Sequence, residues 1–520
     1  GVLGAWLDSV PLLVLSGQSK LSETSRGYGV RQMGIDEVNI VDVVKPVTKY
    51  AVMVTDPKKI RYHLEKACHL AMSGRPGPVW LDLPLDVQVG MVDEDRLVGA
   101  AGLKKRNYVK TARKKIPVLI DLLKKSSRPV ILAGNGIRIA GADKGFISLV
   151  DRMKIPVVTS RNGRDILEYN HPLLVGGIGA YGDRAANFVI QNSDLLISIG
   201  ARLSPPETGC EHQFFAREAK KVIIDVDPNE LRKPSAKSYL PIECDAKDFI
   251  AELLSQTKRK RLNFSPWLKR CISWKRKYPR FAVKMAKNRK FVNIYYFMKK
   301  ASELAAENDV IVLDRGTAFY TTIQAWKIKG NQRIISSAGL SSAGFGLPGS
   351  IGAFIANGKN NVICISGDGG FQLNIQELAT INYNRFPLKI FLLDNGGDST
   401  VRKTQKAYFK SKFIGTDSQS GKGLADLVDV SEAYGLKVFR INNDHEIDKK
   451  LKKIFSYEDA FICVLKLDKE QYPEPRLVSA IKSDGRLVSR PLEDMYPFLD
   501  RKELRKNMII DLVNEEGQDD

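Results

Sequence analysis

Two stretches of this chain run almost unbroken in apolar residues and then stop abruptly. Val362-Ile-Cys-Ile-Ser ends in Gly367-Asp368-Gly369-Gly370, and Leu388 to Leu393 ends in Asp394-Asn395-Gly396-Gly397. A strand without polar alternation must be covered on both faces, which is the situation in a parallel sheet flanked by helices. Ligands of open α/β sheets collect at the carboxyl ends of the strands, so the two loops predict one site, with Asp368 and Asn395 facing the same ion. Mg²⁺ takes few protein oxygens and completes its octahedron with phosphate and water. One carboxylate, one amide and a backbone carbonyl therefore suit a magnesium–diphosphate group.

The same plan repeats along the 520 residues. Strands at Val10 to Leu15 and Val79 to Leu83 bracket a helical segment at Pro57 to Ser73. Pro129 to Ala133, Ile155 to Thr159, Asp194 to Gly200 and Lys221 to Asp227 form a second series, preceded by a helix ending before Ser126. Val310 to Asp314, Val362 to Ser366, Leu388 to Asp394 and Phe461 to Leu467 form a third. Strands alternating with helices imply parallel sheets, so the fold class expected is α/β with three doubly wound domains. The boundaries read as a first domain at 1–95, a central domain at 115–250, a basic connector at 255–290, a third domain at 291–470 and a Pro-rich tail at 471–520 that drapes over other domains. Residues 90–115 read as a linker. The start at Gly1 shows neither Met nor a secretory signal, and the first domain is expected to be incomplete.

Composition narrows the function classes. No apolar run approaches the ~20 residues of a membrane span. Six scattered cysteines without a C-x-x-C pair, and five histidines without ligand spacing, argue against zinc and fit a reducing, cytoplasmic setting. The net charge of +22 is concentrated: Ser255 to Lys290 holds 14 Lys or Arg and no acid. Trp267, Trp274, Tyr278 and Phe281 interleave with the basic residues, as on a nucleic-acid surface. The seven-residue spacing of Trp267 and Trp274 favours an amphipathic connector helix with a solvated charged face, so no nucleic-acid partner is expected. Cys364 reads as core, and His171 and His445 as surface loop residues.

The Gly367-Asp368-Gly369 turn followed by Asp394-Asn395 resembles the signature of thiamine diphosphate (ThDP) enzymes. Ala5 to Leu12, Val44 to Ala51, Ser73 to Trp80, Gly200-Ala-Arg202, Gly346-Leu-Pro348 and Phe371 to Leu378 are similar to the acetolactate synthase large-subunit branch, so the resemblance covers nearly the whole chain. It implies a carboligase of the transketolase/transaldolase class that decarboxylates pyruvate and transfers the two-carbon unit to a second 2-keto acid or keto sugar. By resemblance Asp368, Asn395 and the Gly397 carbonyl bind Mg²⁺, Gly316, Thr317, Gly367, Gly369 and Gly370 hold the diphosphate, and backbone around Ser341 and Ala343 meets the aminopyrimidine. A homodimer or homotetramer with shared active sites is implied.

The resemblance also marks departures. The family's activating glutamate lies ahead of the segment matching Gly1, and Glu23 and Glu37 are not its counterparts. Ala343 stands where a bulky wedge residue is usual, and Asp394 replaces a first Asn. The family's central domain binds a non-redox FAD in some members and is empty in others; Gly134, Gly136, Gly200 and Arg202 are the candidates here. Gly134-Asn-Gly136 lacks the third glycine of an NAD turn. Two alternatives to the carboligase stand open: a non-catalytic subunit of ThDP fold, and a ThDP-dependent 2-keto acid decarboxylase.

Overall fold

The apolar runs become the interiors of three parallel sheets. The computed structural model describes residues 1–103, 106–257, 262–280, 290–358, 361–481 and 486–513, and its backbone divides into two units, Gly1–Tyr108 and Val109–Asp520. In the first, β1 (Leu12–Gln18), β2 (Tyr50–Met53) and β3 (Pro78–Pro84) form a sheet in the order β1-β3-β2. The helix Ile60–Met72 covers it, burying Ala67 and Ala71 against Val79 and Leu81.

The second unit holds two six-stranded parallel sheets. The earlier one contains β4 (Pro129–Ala133), β5 (Val157–Thr159), β6 (Leu174–Gly177), β7 (Leu195–Ile199), β8 (Lys220–Asp225) and β9 (Leu240–Glu243) in the order β6-β5-β4-β7-β8-β9. Chain direction across the sheet reverses between β4 and β7, so their carboxyl ends form a topological switch point. The later sheet contains β10 (Val310–Leu313), β11 (Arg333–Ser336), β12 (Val362–Gly367), β13 (Lys389–Asp394), β14 (Lys437–Ile441) and β15 (Phe461–Lys466) in the order β11-β10-β12-β13-β15-β14, with its switch between β10 and β12. Alternate residues of the later sheet feed opposite cores. Ile311, Leu313, Ile363, Ile365, Phe391 and Leu393 pack on one face, and Val310, Val312, Val362, Cys364, Ile390 and Leu392 on the other. Both faces are dry, which is why the sequence runs without polar alternation.

In the three parallel sheets the five strands beyond the sequence reading, β2, β6, β9, β11 and β14, all lie at sheet edges; a short antiparallel pair, Ser479–Ile481 with Leu487–Ser489, is also beyond that reading. An edge strand pairs on one side only and carries a weaker apolar signal. The expected linker at 90–115 also ends early, because a helix begins at Val109 and runs to Lys125. Its buried stripe of Ala112, Ile116, Leu119, Ile120 and Leu123 is masked in sequence by Lys110, Arg113, Lys114 and Lys115.

The basic segment yields the helix Ser265–Lys277, whose Trp267, Cys271 and Trp274 are buried on the earlier sheet. Trp267 Nε1 donates to the Pro129 carbonyl at 3.0 Å. Phe281 and Lys258 to Arg261 lie outside the described residues. The tail returns to the same face: Asn187 Nδ2 donates to the Leu492 carbonyl at 3.1 Å, Gln191 Nε2 to Glu493 at 2.6 Å, and Trp274 Nε1 to Asn507 Oδ1 at 3.0 Å. His445 is exposed and Cys364 is buried core, whereas the His171 side chain, read as surface, is only 15% exposed beside Asp151. Among the described residues no helix is long and apolar enough to cross a membrane.

Candidate functional site

At the switch point of the later sheet, β10, β12 and β13 deliver Asp314, Gly367-Asp368 and Asp394-Asn395 to one edge. The register sets Leu313 beside Ile365 and Gly367 beside Leu393, so Asp368 leaves its strand level with Asp394 and Asn395 follows one residue on. A cavity of about 230 Å³ opens there. It is lined by Gly316, Thr317, Ala343, Gly367, Asp368, Gly369, Gly370, Asn395 and Gly397, so all but one of the residues expected from sequence converge on it. Ser341, with φ of 59°, lines a neighbouring cleft instead.

The Asp368 carboxylate is 2% exposed. Its Oδ2 accepts from Gly397 N at 2.9 Å and Asn395 N at 3.1 Å, and its Oδ1 from Gly369 N at 2.6 Å. Burial pushes this carboxyl up to about 6, against the downward pull of the three N–H donors, and the charge of Asp394 adds to the rise. No Lys or Arg pairs with it among the described residues. Beside it, Asn395 Nδ2 donates to Ser399 Oγ at 3.2 Å, while its Oδ1 is buried with no partner. A buried carboxylate lacking a cation next to a buried carbonyl oxygen lacking a donor is a set of hard oxygens that a divalent ion satisfies. Among the described residues no three His, Cys, Asp or Glu side chains gather, so a cation here would draw on an amide and backbone carbonyls.

Two glycines of the site are needed for packing of the chain on itself. Gly397 has φ of 130°, and a Cβ there would stand 2.0 Å from the Thr416 carbonyl oxygen. One on Gly370 would stand 2.6 Å from Asp314 Oδ2. Two longer helices, Thr317–Ala325 and Ser399–Tyr408, begin at the cavity without side-chain caps; Ser399 N turns back to the Gly397 carbonyl at 3.1 Å, and the other first-turn N–H groups can face an anion. Thr317 Oγ1 and Ser399 Oγ tie the two starts together at 2.9 Å. Asp314, Asp398, Ser399 and Lys422 also line the cavity; the resemblance marks Asp398-Ser399 as a departure, while sequence reasoning passed over Asp314 and Lys422. Asp314 carried a signal, an acid closing an apolar strand as Asp368 does. Lys422 carried none, because its loop has no periodicity.

The switch point of the earlier sheet is built differently. A Cβ on Gly134 would stand 2.1 Å from the Gly200 carbonyl oxygen, and one on Gly136 would stand 2.7 Å from Gly200 Cα. Gly136 N donates to that carbonyl at 3.0 Å. The close approach of Gly134 and Gly136 to Gly200 leaves no room for side chains there, so packing alone accounts for these glycines. Arg202 lies on the adjoining cleft of about 670 Å³, with Arg161, Lys233, Glu230 and His212. Lys233 bonds both Glu230 and the Arg202 carbonyl.

Comparison with known proteins agrees with this geometry. Residues 116–253 match the sequence model of the thiamine pyrophosphate enzyme central domain, and residues 314–464 that of the C-terminal TPP binding domain. A probable acetolactate synthase large subunit of Methanocaldococcus jannaschii is 33% identical over 477 residues, covering 90% of this chain and 78% of that protein. Acetolactate synthase large subunits of Porphyra purpurea (30% over 513 residues; 94% and 81%) and Lactococcus lactis (32% over 488 residues; 93% and 81%) are similar over the same span.

Proposed function

Because the chain belongs to the acetolactate synthase-like family of thiamine diphosphate enzymes, we propose that it is a Mg²⁺- and ThDP-dependent carboligase that joins a two-carbon unit from pyruvate to a second 2-keto acid or a keto sugar. The observation that carries the reading is the buried Asp368 carboxylate, held by backbone N–H groups without a cationic partner among the described residues, beside the unpartnered Asn395 Oδ1, with glycines and two uncapped helix starts around them. When bound, ThDP supplies a thiazolium able to stabilise the carbanion left by CO₂ loss from a 2-keto acid.

The chain's own residues supply position and charge. Asp368, Asn395 and the Gly397 carbonyl would hold Mg²⁺, with the Asp368 carboxylate fixed by its three N–H donors. Thr317, Gly316, Gly367, Gly369 and Gly370 would face the diphosphate, and the backbone near Ala343 and Ser341 the aminopyrimidine. The Thr317–Ser399 bond keeps the two helix starts in register, so their donors are preorganised for an anion. A flavin, if bound, would lie in the cationic cleft of Arg161, Arg202 and Lys233 beside Gly134, Gly136 and Gly200, with no part in the proposed reaction. The domain limits at 95, 115–250 and 291–470, a cytoplasmic location and assembly as a homodimer or homotetramer complete the reading.

Calorimetric titration with ThDP, with and without Mg²⁺, tests it. Saturable binding that requires Mg²⁺ is expected, followed by acetolactate formation from pyruvate. Aldehyde as the product would make the protein a decarboxylase, binding without turnover would make it a non-catalytic subunit, and no binding at millimolar ThDP would overturn the reading.

A further inference from the structure

One cation in the cavity has no part in the assignment above. Of the lining residues only Arg315 and Lys422 are cationic, and Arg315 is exposed. Lys422 is half-buried, its side chain 25% exposed, and a Cβ placed on Gly369 would stand 2.9 Å from its Nζ. The ammonium therefore lies directly on the glycine turn. It is held there by Asp398, whose Oδ2 accepts from Nζ at 2.5 Å.

Both partners are anchored by backbone. Asp398 follows Gly397, and its N–H donates to the Thr416 carbonyl at 2.9 Å. Lys422 N donates to the Asp417 carbonyl at 2.9 Å, and Asp417 is paired with Arg402 of the helix Ser399–Tyr408. Gln405 of that helix exchanges two hydrogen bonds of 3.1 Å with Ile414. The loop is thus pinned to the helix, and glycines 421 and 423 flank the lysine within it. The part left free to move is the four-carbon stem with its ammonium.

A carboxylate at the mouth of an anion site opposes binding unless it is neutralised, and a magnesium ion leaves residual negative charge on a diphosphate ester. We propose that Lys422 is a second cation for the diphosphate, resting on Asp398 in the free protein and passing to a phosphate oxygen when the ligand enters. Lys422 is then a binding residue for diphosphate esters, and Asp398 is the counter-ion it leaves when the ligand enters. The inference rests on the reading of Asp368 and Asn395 as the magnesium–diphosphate site.

The test is calorimetric titration of the full chain with Mg–ThDP and, separately, Mg–pyrophosphate at several salt concentrations. Lys422→Met should weaken both by about 10- to 100-fold, the range of one charge-assisted hydrogen bond, and should reduce the salt dependence. Lys422→Arg should recover most of the loss, which a merely structural role would not give, and Asp398→Asn should bind pyrophosphate as tightly as the wild type or more so. Equal affinities for wild type and Lys422→Met, with binding still abolished by Asp368→Ala, would overturn this inference and leave the function standing. Failure of the wild type to bind either probe would overturn both. Unchanged circular dichroism of each variant guards against loss of fold.

Discussion

The two large sheets place glycines at equivalent switch points and use them in different ways. In the earlier sheet Gly134, Gly136 and Gly200 close on one another. Gly176 and Gly177 close on Asp183 and Arg164: a Cβ on Gly176 would stand 2.3 Å from Asp183 Oδ2, and one on Gly177 would stand 1.9 Å from the Arg164 guanidinium carbon. In the later sheet Gly370 and Gly397 also close on the chain, at Asp314 and the Thr416 carbonyl, but Gly367 and Gly396 have nothing within 4 Å of a Cβ position, and Gly369 meets only the mobile end of a lysine and a carboxylate oxygen. Glycine at a strand end therefore carries no ligand meaning by itself. What separates the two sites is whether the space released is refilled by the chain or lined by polar atoms still lacking partners.

Asp183 offers the severest test of the refilled side. It is buried, with Arg164 Nη1 at 2.8 Å, Arg280 at 2.9 Å and Gly177 N at 2.7 Å. Burial pushes its carboxyl up, but Arg280, Arg164 and the Gly177 N–H outweigh that and hold it below the ordinary carboxylate range. A lowered carboxyl stabilises the fold above its unfolded-state value, and the contribution is lost as pH falls through the folded value. Asp183→Asn should therefore cost about 3–5 kcal/mol near neutrality, seen as a fall in Tm, and should flatten the acid limb of Tm against pH. A variant with wild-type Tm would refute the view that these glycines are packed by an ionic core.

Asp368→Ala probes the open side. Affinity for Mg–ThDP should fall by more than about 100-fold, beyond the 10–100-fold typical of an outer-shell metal partner, in a protein whose circular dichroism is unchanged. Gly134→Ala comes next. It should cost about 1–3 kcal/mol through overpacking while ThDP affinity stays constant; lost flavin absorbance at constant Tm would instead make this glycine a ligand residue and collapse the contrast. The smallest effect belongs to Gly369→Ala, whose new methyl meets the movable Lys422 ammonium. Its Tm should change by no more than about 0.5 kcal/mol equivalent.

Much of this contrast could be read from residues alone, and the remainder has a physical reason for being hidden. Asp368 and Asn395 were legible because each ends a long apolar run, and such runs mark central strands. Ala343 and Gly316 were legible only through resemblance. The edge strands Leu240–Glu243 and Lys437–Ile441 escaped because one mixes Pro241 and Glu243 with two apolar residues and the other interleaves Lys437 and Arg440 with three. Asp398 and Lys422 are 24 positions apart, separated by the helix Ser399–Tyr408 and a non-periodic loop, and only the fold of residues 409–423 back onto that helix brings them together. The flavin candidates Gly134, Gly136 and Gly200 show the converse: their pattern was visible, but a pattern cannot tell an empty crevice from one filled by a neighbouring carbonyl.

The return of residues 492–509 to the earlier sheet has a consequence in time. Asn187, Gln191 and Asn192 are buried side chains on or beside the helix Arg184–Gln191, and they hydrogen-bond to Leu492, Glu493, Asn507 and Ile509. The central domain match ends at residue 253, so during synthesis these side chains, already bonded to Gly179, Phe214, Ala216 and Phe188, wait for their remaining partners made roughly 240 residues later, some tens of seconds at about 5–20 residues per second. Until then the nascent domain presents amides and an apolar face to the cell, and its completion is gated by the ribosome reaching the far end of the chain.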